Sequence, residues 1–82
     1  MNISALTLRA MLHRFALERG PDRTFCPSEV PRALAADWRP LMPPLRAAVA
    51  RLVAKDRLRC TQRGVAVAPL TARGPIRLSL PR

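Results

Sequence analysis

Tyrosine is missing from this 82-residue chain, and aromatic residues make up only 4% of it. Unpaired bases are usually held by stacking on such rings, so a single-stranded RNA reader is disfavoured. Acid is also scarce, with five Asp and Glu against fifteen Lys and Arg. Glu29 and Asp37 are accounted for as helix-end charges rather than as catalytic carboxylates. His13 is the single histidine, so a metal site lacks ligands and a surface or interface position is expected for it. Cys26 and Cys60 stand far apart with no C-x-x-C pair, which suits free thiols in a reducing cytosol. Their default role is that of two small buried hydrophobes, near each other across strands. No apolar run reaches about 18 residues, so no membrane span is expected. The three glycines form no phosphate-cradling loop, and no nucleophile–base–orienter set can be assembled. These absences predict a protein that is not an enzyme and needs no cofactor or metal.

What is present is a chain that is 49% apolar, enough for a packed core, with room for one domain over residues 1–82. Its net charge is +10, almost all of it arginine, and Lys55 is the only lysine. Genome-wide preference for arginine can set the Arg/Lys ratio, but it leaves the excess of base over acid unexplained. That excess calls for an acidic partner, and DNA, RNA or an anionic membrane would each relieve the repulsion. The amphipathic, Arg-bearing N-terminus has the look of a transit peptide. Removing it would strip a core helix from a minimal domain, so a cytoplasmic protein is expected.

Helical spacing predicts a first helix over residues 4–19, with Ser4 as its cap and Gly20-Pro21 ending it. Leu8, Met11, Leu12 and Phe15 share one stripe; Ile3, Leu6, Ala10 and Leu17 form a second on roughly the opposite side. A helix apolar on two sides is expected to be sandwiched within the domain, with a homodimer contact through helix one as the other option. Pro21-Asp22-Arg23 is a turn, and Thr24-Phe25-Cys26 a short extended strand. Ser28 is expected to cap the second helix, placing Pro31 in its first turn and ending it near Ala36. A turn over residues 37–42 follows, with Trp38 expected as a core plug between two helices. Pro43 and Pro44 start the third helix, which buries Leu45, Ala48, Val49, Leu52 and Val53 and runs to about Lys55.

After Asp56 the period drops to two. Leu58, Cys60 and Gln62 alternate with Arg57, Arg59, Thr61 and Arg63; Leu58 and Cys60 are expected to turn to the core, while Arg57, Arg59 and Arg63 share one strand face. Arg63-Gly64 is a two-residue turn, residues 65–68 the return strand, and Ile76, Leu78 and Leu80 mark a last strand ending at Pro81. The fold class is thus α+β: a small winged helix-turn-helix of three helices, a basic β-hairpin wing and a short C-terminal strand. The turn of about six residues is longer than the three or four usual in a helix-turn-helix.

The third helix presents Ala47, Ala50 and Ala54 outward with Arg46 and Arg51 on either flank. So smooth a strip can approach the DNA major groove, about 12 Å wide, while the arginines pair with guanine or grip phosphate. Arg39 stands beside the positive end of that helix, suited to a backbone phosphate. An arginine near the tip of the Arg57, Arg59 and Arg63 hairpin could enter a minor groove. The candidate double-stranded-DNA contacts are therefore Arg39, Arg46, Ala50, Arg51, Arg57, Arg59 and Arg63. The competing expectation is a protein–protein interaction module that works through Ile3, Leu6, Ala10 and Leu17.

Several segments carry a resemblance: Arg19-Gly20-Pro21, Cys26-Pro27-Ser28-Glu29-Val30, Trp38-Arg39, Leu41-Met42-Pro43 and Gly74-Pro75-Ile76-Arg77-Leu78. Together they resemble a family of short bacterial proteins known as a domain of unknown function, matched from helix one to the last strand. The resemblance implies a bacterial, winged-helix-like fold and brings no activity with it. Pro31 departs from the pattern, which has a helix-friendly residue there.

Overall fold

The computed structural model describes residues 3–81. Its elements run α1 (Ala5–Arg19), α2 (Glu29–Leu34), a 3₁₀ turn (Arg39–Leu41), α3 (Met42–Ala54), β1 (Arg59–Gln62), β2 (Val65–Ala66) and β3 (Arg77–Ser79). The class is α+β, and the order is compatible with a winged helix-turn-helix.

α1 begins as expected, with the Ser4 hydroxyl accepting the Thr7 N–H at 3.1 Å, and ends at Gly20, whose φ is 78°. α2 starts differently. Ser28 is already helical and makes no capping bond. Cys26 stands at the cap instead: its backbone N–H donates to Glu29 Oε2 at 2.9 Å, and the Glu29 N–H donates to its carbonyl at 3.0 Å. This is half of a capping box, with Pro27 in the first helical position, where a missing N–H is harmless. Pro31 then falls deeper in the helix than expected. The carbonyl of Pro27, which residue 31 would ordinarily reach, accepts from Val30 at 3.3 Å. α2 stops at Leu34, two residues short of Ala36.

α3 ends in a Schellman motif. Asp56 takes a positive φ of 56°, its N–H donates to the Val53 carbonyl, and the Arg57 N–H donates to the Leu52 carbonyl at 2.8 Å. The chain then enters β1, and Arg63 and Gly64 (φ 51° and 82°) turn it into β2 through a type I′ hairpin. β2 is short, pairing only Thr61 with Ala66 and Gln62 with Val65. The larger partner of β1 is β3, on its other edge, giving the order β2-β1-β3, all antiparallel. Phe25 adds an isolated bridge to Leu78 on the far side of β3, all that forms of the strand expected at residues 24–26.

Leu8, Leu12 and Ala16 of α1, Val30 of α2, and Leu45, Ala48, Val49 and Leu52 of α3 pack with Phe25, Leu58, Cys60, Ile76 and Leu78 in one core. The second stripe of α1 is not sandwiched, contrary to expectation. Ile3 packs on the core, but Leu6 and Leu17 are 68% and 56% exposed and Ala10 is exposed too. The neighbours of α1 are α2, α3 and β3, and its buried residues all lie on the Leu8–Leu12–Ala16 side. Trp38 is not the expected plug: it is half-buried and absent from the side chains packed on the core. The strict alternation of β1 also breaks at Thr61, which is buried beside Cys60. Thr61 lies in the middle strand, paired with Ala66 on one side and Arg77 on the other, so the sheet covers both of its flanks.

Candidate nucleic-acid interface

Residues 38–82 hold ten of the fifteen Lys and Arg but one of the five Asp and Glu. Among the described residues the ion pairs Arg14–Glu18 and Arg19–Glu29 involve none of the expected DNA contacts. Six of the seven residues fall into three groups set by α3 and its flanks, with Ala50 on the strip between.

On one flank stands Arg46. Its Nη1 donates to the Pro69 carbonyl at 3.1 Å, tying α3 to the loop that follows the hairpin. Arg59 lines the cleft between Val53 of α3 and Ala66 and Val67 of the hairpin side, so it belongs to this group. Arg63 stands exposed at the hairpin tip. Beneath them burial pushes the Cys60 thiol above its ordinary range, an effect only partly offset by the positive charge of Arg46.

The opposite flank carries Arg51. At about 100° per residue, Arg46 and Arg51 are about 140° apart around the helix axis. Arg51 lines a shallow groove with Ala5 and Arg9 of α1, and Arg57 lines the continuation of that groove with Lys55, Leu6 and His13. Arg57 therefore does not share the strand face of Arg59. The Schellman turn at Asp56 sends it toward α1, and β1 starts only at Arg59. Between the flanks Ala47 and Ala54 are exposed and Ala50 is half-buried, leaving the small-residue strip open.

The third group sits at the helix-turn-helix junction. The Arg39 guanidinium lies over the Trp38 ring at 4.8 Å, and Arg32 of α2 lies over the same ring at 4.5 Å. Sequence reasoning missed Arg32; its spacing of six from Trp38 crosses a helix end, where periodicity carries no information. It also missed Gln62, whose Nε2 donates to the carbonyls of Arg73 and Pro75 and pins the loop after β2. Arg9 was missed as well; its Nε is buried without a hydrogen-bond partner between α1 and α3.

Both cysteines are free thiols. β3 lies between Phe25 and Cys60, which sets Cys26 about two strand spacings, roughly 10 Å, from Cys60. That exceeds the reach of a disulfide, so the two are not neighbours across strands as expected. Among the described residues no group of three His, Cys, Asp or Glu could hold a metal ion, and no helix is long and apolar enough to cross a membrane.

The family model described as Protein of unknown function (DUF3253) matches residues 5–81, nearly the whole chain. The chain belongs to the DUF3253 family. The match spans α1 through β3, so the family unit contains the complete sheet and all three helices. Comparison with curated proteins finds no match that would attach an activity to this DUF3253 member.

Proposed function

We propose that this protein is a cytoplasmic, winged-helix binder of double-stranded DNA, a small regulator or accessory factor rather than an enzyme. The observation that carries the reading is α3 itself. Its alanine strip is open, and the arginines on both flanks take no part in the ion pairs of the described residues. A helix of that form enters the major groove with Arg46 facing one phosphate strand and Arg51 the other. Arg59 and Arg63 extend the contact along the hairpin, and the Arg46–Pro69 bond holds hairpin loop and helix in register.

The test is a titration with random duplex DNA at two salt concentrations. The four contacts of α3 and the hairpin by themselves give a slope of log K against log salt of about −3.6, and any further phosphate contact steepens it. A flat salt response, or no binding at about 0.05 M salt, overturns the proposal.

A second reading, a protein-interaction module, is favoured by the exposure of Leu6 and Leu17 on α1. Dimer formation or partner capture that is lost in Leu6→Ser/Leu17→Ser, with no DNA shift in the parent chain, would decide for it.

A further inference from the structure

The α2–α3 junction holds two cations against one ring. Arg32 and Arg39 are both exposed, and their Cζ atoms lie 4.5 Å and 4.8 Å from the centre of the half-buried Trp38 ring. Two points so close to one centre are at most about 9 Å from each other, within the screening length of about 10 Å at 0.1 M salt. Like charges at that range repel. Asp37, the residue before Trp38, makes an ion pair with neither arginine, and no hydrogen bond of the described residues uses either guanidinium. What holds them is the indole face, worth about 0.5–1 kcal/mol per exposed cation–π contact.

An arginine that only decorates a surface has no need of such an anchor. Here the ring fixes the carbon ends of two guanidiniums that would otherwise swing apart, and it engages none of their N–H donors. The donors stay available at the entry to α3, where the helix dipole adds positive potential. An anion placed there meets two forks already oriented, so less side-chain freedom is lost on binding. Arg32 comes from α2 and Arg39 from the 3₁₀ turn that leads into α3, so the pair bridges α2 and the approach to α3.

We propose that Arg32 and Arg39 form a phosphodiester clamp on the DNA backbone, with Trp38 as the positioning residue that holds it open. The proposal rests on the duplex-DNA reading above and adds to it a backbone contact from α2. Because Trp38 is the only tryptophan, its fluorescence reports this cluster directly.

The experiment follows Trp38 emission and the anisotropy of a labelled random duplex in one titration, over a range of salt concentrations. In the parent chain both signals should share one midpoint. R32A/R39A should weaken binding roughly tenfold and reduce the salt slope by about 1.8, the loss of two phosphate contacts. R32K/R39K keeps the charge and should restore the slope. W38L keeps both charges, so it should lower affinity about threefold with the slope unchanged, a split that a merely structural role would not produce. Circular dichroism of W38L checks folding, and R32A/R39A stands independently of it because both side chains are exposed. If the parent chain binds and R32A/R39A matches it in affinity and slope, the clamp is overturned and the DNA reading survives. If the parent chain does not bind duplex at all, both fall.

Discussion

At the α1–α2 junction Arg19 lies over the rings of Phe15 and Phe25, at 5.0 Å and 5.3 Å, and donates to Glu29 at 2.7 Å. Arg59 and Arg63, in the hairpin, stand exposed and outside both ion pairs. The same side chain serves two purposes in one small protein. Arg19 is part of how the chain folds: it holds the carboxylate that in turn caps α2 through Cys26. Among the described residues neither hairpin arginine takes part in an ion pair, so neither holds an element in place as Arg19 does. A surface charge without an internal partner contributes to solubility or to contact with another molecule, and not to holding the fold together.

Four measurements sharpen or break that contrast. The largest effect is expected in the core beneath Arg19. Phe25 is fully buried, and Phe25→Ala should cost about 3–5 kcal/mol, comparable with the whole stability of a domain this small, so the variant should show no cooperative thermal transition. Next comes the cap. Glu29→Ala should lower stability in urea by about 1–2 kcal/mol, and adding Arg19→Ala should cost less than its effect in the parent chain, since the two share one interaction.

A smaller effect should follow pH. Burial raises the Cys60 thiol in the folded state, so the unfolded chain loses its proton first. The contribution is complete below the ordinary thiol range and is lost as pH rises from that range through the raised folded value. Urea midpoints at about pH 7 and about pH 10 should therefore differ more in the parent chain than in Cys60→Ala. The smallest stability change belongs to the hairpin: Arg59→Ala and Arg63→Ala should each stay within about 0.5 kcal/mol of the parent. Each should nonetheless flatten the salt dependence of duplex binding by about 0.9. A hairpin variant that loses stability instead would erase the distinction from Arg19.

Local features of the fold were legible in the sequence because local rules govern them. Ser4, Gly20 and the Arg63-Gly64 turn each act through the geometry of a few adjacent residues. The cap of α2 slipped by two residues because a serine invites the role that the Cys26 backbone and Glu29 fill together. The pairing of β1 with β3 was not readable, since strand order is decided by which edges meet across the core and not by alternation. Nor could a second apolar stripe say whether anything lies against it, and in α1 the described residues leave Leu6 and Leu17 exposed. Of the candidate contacts, the flanking of the alanine strip by Arg46 and Arg51 was visible in the helical period. The departure of Arg57 was hidden in one positive φ at Asp56, and the Arg32–Trp38–Arg39 cluster in a tertiary contact.

The bridge from Phe25 to Leu78 has a consequence for how the chain is made. β3 is the strand shared by Phe25 and β1, and it follows every other element of the described residues. Until residues 76–80 arrive, both of those segments keep raw edges and the floor of the core is open. Helices can form early, but closure waits on a contact spanning more than half the polypeptide, the kind that slows folding most. Nascent chains halted before Ile76 should therefore be prey for proteases and chaperones, however well their helices are wound.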